Sequence, residues 1–317
     1  MLVIFAAFKK EALALLKVIK VKKIIKSKSA LIYDGLIQNK RIIICITGMG
    51  RLKAIHAAHQ VIKLNIKNPV FVIQGISGGL ADWLKTGDLV FYNSIKNLEW
   101  FNAGKKVIPY NAGNDFIKTQ NSEEVSAEIN EQRAVGATDI LYLPYGKRSI
   151  NTDRDNYNLS GKDKNKAAFE VINENFELLK NRWESKSKNI KLFMASGGLV
   201  SYVVTDRSDM NVLNKIHDVE AIDMESYYIA DIAVNNDIPA ICVRSISDSA
   251  GEPIPELIIR FNEGGIYTRF CCLLELLFSR KKAVLVIRSL KNMTKACSNL
   301  NQFVQEIMLP YFGYEQE

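Results

Sequence analysis

The clearest pattern in the chain is a series of short, unbroken apolar runs separated by stretches with helical spacing. Residues 2–8 (LVIFAAF), 41–47 (RIIICIT), 69–73 and 240–243 are runs of this kind, and 190–195 reads as a further strand. An apolar run without alternation is the form of a strand covered on both faces. A helix is predicted over 9–19, with Ala12, Leu15, Leu16 and Ile19 on one face. Residues 17–30 carry six lysines and predict a helix end followed by an exposed β-hairpin arm. A second helix runs through Ala54, Ala57, Ala58 and Val61. A third spans 224–234, with Asp223 as its N-cap and Asn235, Asn236 and Asp237 as its stop. Gly-rich loops are expected at 74–80 and 196–198, and a turn at 85–88 feeds a further strand. Alternating strands and helices predict an α/β fold, a single three-layer domain with a mixed central sheet and helices on both faces.

Two regions break the alternation. Residues 93–190 are polar and rich in Asn and Lys, the mark of an insertion. Within it a loop is expected over 151–166, followed by a helix over 165–182 built on Ala168, Val171, Ile172, Phe176 and Leu179. The C-terminal part predicts helices over 266–278 and 283–308, joined by Ser279-Arg280-Lys281-Lys282. This divides the chain into an α/β domain over 1–265 and a helical extension over 266–317.

Composition adds limits. The 317 residues are 48% hydrophobic and 24% charged, ordinary for a globular protein with a substantial core. The formal net charge of +8 fits a lysine-rich solvated surface, or attraction to an anionic partner such as phosphate or a membrane surface. No aromatic-plus-basic module or helix-turn-helix points to nucleic acid. The five cysteines, Cys45, Cys242, Cys271, Cys272 and Cys297, form no C-x-x-C pair. That usage predicts reduced thiols and a cytoplasmic location. The first apolar run has no basic region before it, so it does not read as a signal peptide. No apolar stretch reaches the roughly 18–20 residues of a membrane span.

The candidate chemistry sits at the joints between elements. Asp223 and Glu225 open a helix, while Arg244, Ser247 and Asp248 follow an apolar strand. In α/β folds the carboxyl ends of strands face the ligand crevice. Two elements therefore offer carboxylates to one place. Glu11 lies just past the carboxyl end of the first strand. Gly48-Met49-Gly50 turns a strand into a helix, and with Arg51 offers an anion cradle of backbone N–H groups plus a cation. His56 and His59 share a helix face but have no third ligand at metal spacing.

D-M-E-S at 223–226, followed by V-R-S-I-S-D at 243–248, resembles the nucleoside phosphorylase / nucleosidase superfamily, which includes the methylthioadenosine/S-adenosylhomocysteine nucleosidases. The G-x-x-G-G-L segment at 75–80, with Gly87-Asp88 after it, matches the same pattern. The resemblance implies a partly barrel-like sheet of the phosphorylase/hydrolase type. It implies a ribose site at Glu225, Met224 and Arg244. It implies base contacts from Ser77, Gly78, Gly197, Gly198, Val200 and Ser247. It implies Asp248 and Glu11 as catalytic groups, Glu11 positioning an attacking water. Two positions depart from the pattern. Ile76 stands where the adenine-type enzymes carry serine, and Gly198-Leu199-Val200 lacks their aspartate and stacking aromatic. The aliphatic base loop, D-M-E-S and the helical tail together resemble the hopanoid-associated phosphorylase subgroup, which acts on an adenosyl-lipid.

The residue types suit cleavage of an N-glycosidic bond. A carboxylate can accept both hydroxyls of a ribose cis-diol, the role expected of Glu225. A carboxylic acid beside the departing base can protonate it, the role expected of Asp248, with Ser247 orienting it. Arg244 is expected to neutralise the acidic cluster. The acceptor stays open between water, which suits Glu11, and phosphate, which suits Gly48, Gly50 and Arg51. No metal or organic cofactor is implied, and phosphate enters only as co-substrate. The expected partner is a small nucleoside-like substrate and, for a member of this superfamily, a second copy of the chain. The apolar run FCCLLELLF, with basic residues after it, adds peripheral membrane contact as a further expectation. A catalytically silent nucleoside-binding protein is the competing expectation.

Overall fold

The computed structural model describes residues 1–27, 30–99, 138–142, 147–151, 166–187, 189–250, 252, 254, 255, 257, 258, 271–273, 275, 276 and 278–314. For residues 138–142, 147–151 and 166–175 only the backbone is described. The first strand, β1 (Leu2–Ala6), is followed by a 3-10 turn over Lys9–Ala12 and the short helix α1 (Leu13–Val18). The single helix expected over 9–19 is thus two segments. The bend arises where the Glu11 side chain turns back to accept the Phe8 N–H, at 2.9 Å. The strands β2 (Lys20–Lys26), β3 (Leu31–Ile37) and β4 (Lys40–Ile46) form an antiparallel meander, so the lysine-rich stretch expected to hold a whole hairpin supplies one strand of it, β2, and β3 lies beyond. β2 is an edge strand, and its exposed lysines deter pairing with other chains.

Helix α2 (Arg51–Ile62) leads to β5 (Val70–Gly79) and β6 (Leu89–Asn97). The backbone then includes β7 (Thr138–Tyr142), β8 (Lys147–Asn151) and α3 (Lys166–Lys186). The helix expected over 165–182 is α3. The loop expected over 151–166 lies almost wholly outside the described residues. Next come β9 (Leu192–Leu199), α4 (Arg207–Lys215), β10 (Ala221–Asp223), α5 (Ser226–Asn235) and β11 (Ala240–Asp248). The last long helix, α6 (Arg280–Phe303), continues through a π turn, Val304–Met308. Residues 279–282 were expected to join two helices. Instead Ser279 caps α6, its hydroxyl accepting the Lys282 N–H, and the three cations form the first turn. The predicted helix over 266–278 is only partly within the described residues.

Among the described residues the strands form one eleven-stranded mixed sheet. Part of it closes on itself: β5 pairs with β11 and β10, β10 with β9, β9 with β6, and β6 with β11. The sheet is therefore partly barrel-like, flanked by helices on both faces. β1 shows why its sequence is apolar throughout. Val3 and Phe5 join the core cluster under α2 and α5, while Leu2, Ile4 and Ala6 join the cluster under α1, α3 and α6. Leu300, Phe303, Val304, Ile307 and Met308 belong to that second cluster, so the C-terminal helix packs directly on the sheet.

Both expected glycine loops are strand. β5 extends through Gly79 and β9 through Leu199, because each glycine admits a neighbour from another element. A methyl group on Gly75 would overlap the Arg244 guanidinium, and one on Gly197 would overlap the Tyr92 ring. Gly198 admits Val219 in the same way. Among the described residues no helix is long and apolar enough to cross a membrane, and no group of His, Cys, Asp and Glu is arranged to hold a metal ion.

Candidate active site

Five charged side chains from four segments converge at the end of the closed part of the sheet. Glu11 comes from the 3-10 turn, Asp223 from β10, Glu225 from the entry to α5, and Arg244 and Asp248 from β11. All five are at least nine-tenths buried. Burial of so much charge is costly unless the groups are paired or neutralised.

The centre of the arrangement is Arg244. Its Nη2 lies 3.3 Å from Asp223 Oδ1, and its Nε donates to Ser226 Oγ at 3.1 Å. The Ser226 hydroxyl also lies 3.1 Å from Cys242 Sγ. Asp223 Oδ1 in turn accepts the N–H groups of Glu225 and Ser226, at 2.9 and 2.7 Å. Asp223 thus braces the entry to α5, whose N-cap is Glu225 rather than the expected Asp223, and holds the arginine at once. Removing one member of such a buried pair typically costs about 3–5 kcal/mol.

Glu225 accepts the Gly50 N–H at 2.8 Å. Burial, then the Asp223 charge, pushes its carboxyl up to about 7, while Arg244 and the Gly50 N–H pull the other way. Glu11 accepts Phe8 N–H on one oxygen and Ile76 N–H, at 3.1 Å, on the other. Burial raises its pKa and Arg244 opposes the rise. Ile76 therefore serves this carboxylate through its backbone, which any residue type can do. The Gln74 amide braces the same turn, donating to the Glu11 carbonyl at 2.7 Å.

Asp248 stands on the far side of Gly78, whose missing side chain leaves room for it. The β11–β5 register slips between Ile246 and Asp248, so Ser247 is the extra residue of a bulge. Bulges re-aim side chains next to active sites. Here the Ser247 hydroxyl donates to Asp248 Oδ1 and lies 3.2 Å from the Ser77 carbonyl. Burial raises the Asp248 carboxyl to about 6, although the Ser247 hydrogen bond works against it. A carboxyl titrating there can hold a proton near neutral pH and release it to a leaving group.

The sequence-predicted residues are thus unevenly placed. Asp248, Ser247, Ser77 and Gly78 are brought together, as are Glu11, Arg244, Glu225 and the half-buried Met224. Ser77 also hydrogen-bonds the Tyr92 hydroxyl at 2.8 Å. Val200 is buried just past β9, in a cluster with Leu80, Val219 and Ile222. Gly197 and Gly198 lie within β9 rather than on a turn, and the space they leave is filled by Tyr92 and Val219.

The anion cradle differs most from expectation. Gly48 and Gly50 do have positive φ, 75° and 96°, as the tight turn requires. The Gly50 N–H is already spent on Glu225, and Arg51 pairs with Glu99 at 3.0 Å while lying over the Tyr228 ring. The N–H and the cation expected to favour an anion are both answered from within the chain.

Residues that sequence alone did not single out complete the site. Ser226, Gln74 and Glu99 have no local signal, because their partners are 18 to 63 residues away. Asn301 is the most distant. Its side chain bonds the Lys10 carbonyl at 2.8 Å and the Ala14 N–H at 2.7 Å, tying α6 to the turn that carries Glu11.

With this geometry in view, the comparisons with known proteins are informative. Residues 2–137 match the model of the phosphorylase superfamily. No curated protein matches the chain by sequence. Among solved structures, the chain is similar to the 5'-methylthioadenosine/S-adenosylhomocysteine nucleosidase of Neisseria meningitidis in complex with methylthio-immucillin-A. The TM-score is 0.56 at 15% identity, covering 97% of each chain. The corresponding nucleosidase of Colwellia psychrerythraea 34H, in complex with adenine, gives 0.57 at 14% identity, over 96% of this chain and 92% of that one. The futalosine hydrolase of Helicobacter pylori strain 26695 gives 0.54 at 14%, over 96% and 97%. The chain is thus similar to the phosphorylase superfamily in the sequence of residues 2–137, and it shares the fold of these nucleosidases along nearly its whole length.

Proposed function

We propose that this protein hydrolyses the N-ribosyl bond of a purine nucleoside or nucleoside-like substrate. The observation that carries the reading is the separation of two kinds of carboxyl in one buried site. Glu11, Asp223 and Glu225 gather around a single arginine, while Asp248 stands apart beside Ser247 with its pKa raised to about 6. Breaking the bond builds positive charge on the ribose and negative charge on the base. The acidic cluster suits the first and a protonated Asp248 the second. Glu225 accepts the ribose diol, Arg244 keeps the cluster from accumulating too much negative charge, and Asp248 passes its proton to a ring nitrogen of the base. Such positioned proton transfer contributes roughly 10²–10⁴-fold.

Water is the acceptor in this reading, and Glu11 orients and deprotonates it. Occupation of the Gly50 N–H by Glu225, and of Arg51 by Glu99, favours water over a phosphate dianion. The solved structures named above are two methylthioadenosine/S-adenosylhomocysteine nucleosidases and a futalosine hydrolase, which supports the same class of reaction here. The aliphatic wall at Val200 favours a base held by edge contacts rather than by stacking. The protein acts as a homo-oligomer in this reading, without a cofactor. A panel of nucleosides incubated with and without phosphate tests it. Free base should appear from at least one purine riboside at the same rate in both conditions. Binding without base release across the panel would leave a silent nucleoside-binding protein.

A further inference from the structure

The outer half of α6 carries a face that neither the fold nor the proposed chemistry uses. Val284, Ile287 and Leu290 are 57, 52 and 50% exposed and stand three residues apart, forming one ridge along the helix. Leu285, and Phe278 just before the helix, are also exposed. Beside the ridge lie the exposed cations Arg280, Lys281, Arg288, Lys291 and Lys295. No acidic residue occurs from Arg280 to Gln305. Arg288 pairs with Glu252, and Lys282 with Glu275 at 2.7 Å. Arg280, Lys281 and Lys291 have no ion-pair partner among the described residues. The opposite side of the helix is anchored, with Val286 packed against Leu257 and Cys272. The exposed apolar ridge is therefore held outward on a fixed helix.

We propose that this face docks on an anionic lipid surface. Apolar side chains flanked by lysine and arginine suit the boundary between headgroups and acyl chains, and the cations meet the lipid phosphates. A second copy of the chain fits less well. A two-fold pairing would set this cationic face against itself, with no acid on the helix to answer it. Another exposed basic element, β2, sits at the sheet edge, where lysines already serve to block strand pairing. The proposal does not depend on the reaction proposed above.

The test uses the full chain and sedimentation with vesicles of phosphatidylcholine alone or mixed with phosphatidylserine. Binding is expected to the mixed vesicles only, and to weaken as salt is added. The double variants Ile287→Ser/Leu290→Ser and Lys281→Glu/Lys291→Glu should each bind at least about tenfold more weakly. Lys22→Glu/Lys23→Glu should bind like the parent. Matching melting curves show that each variant is folded, and nucleoside cleavage should be unchanged in all of them. Several results overturn the proposal: a folded parent that binds neither vesicle, equal binding to both, or binding that the α6 variants leave intact. A dimer that Ile287→Ser/Leu290→Ser splits, in a protein that ignores vesicles, would assign the face to a second copy. Binding to polyglutamate without binding to vesicles would assign it to an acidic protein.

Discussion

Asp248 and Glu225 differ in surroundings more than in chemistry, and that difference assigns their roles. Asp248 has the Ser247 hydroxyl as its partner, and burial lifts it to about 6 against that hydrogen bond. As the proton donor it must be protonated. The rate is expected to fall as pH rises above about 6, and Asp248→Asn should remove that pH limb while lowering turnover by at least about 10²-fold. A pH profile of kcat/KM on the two proteins checks this. Unchanged turnover in the variant removes Asp248 from the mechanism. Glu225 is lifted from 4.5 to about 7. Between those values the folded protein holds a proton that the unfolded chain has released, so this group makes the protein less stable as pH rises through the interval. Glu225→Gln should abolish that slope and stabilise the protein at pH 8, by about 3 kcal/mol at most. It should also shrink the preference for ribosides over 2'-deoxyribosides. Urea unfolding at pH 5 and pH 8, and a deoxyriboside competition, read out the two effects.

At the scale of elements, the unbroken apolar runs were legible because each strand is buried on both faces. Helix α2 and the lysine-rich strand were legible because their causes are local, whereas the start of α5 lies two residues later than its sequence suggests, with Glu225 rather than Asp223 as its N-cap. The glycine segments misled for the opposite reason. Gly75 and Gly197 read as loops by composition, yet they remain in strands because Arg244 and Tyr92, far away in sequence, need the space. Long-range contacts also hide the most consequential support of the site. Asn301, on α6, holds both ends of the turn that presents Glu11. Replacing it with alanine leaves the Lys10 carbonyl and the Ala14 N–H without that partner, a cost of about 1–3 kcal/mol. Asn301→Ala should lower the melting temperature and reduce turnover, with substrate affinity largely kept because Glu225 and Asp248 are held elsewhere. A variant that loses stability but keeps full kcat would show that Glu11 does not depend on this brace.

For the whole molecule, the sheet brings together residues from positions 11 to 248, a convergence foreshadowed by carboxylates at the carboxyl ends of strands and by the resemblance of two short motifs. Their order and spacing carried the carboxylates and the arginine correctly to one place. The anion cradle was legible as a G-x-G turn, but its occupancy was not, since Glu225 and Glu99 reach it from other elements. Which acceptor attacks is the claim on which the account turns. Cleavage of a purine riboside in ¹⁸O-labelled water, with phosphate present, tests it most directly. The account predicts free ribose labelled at C1, and loss of that product in Glu11→Gln. Unlabelled ribose 1-phosphate, formed at a rate that Glu11→Gln leaves intact, would contradict it.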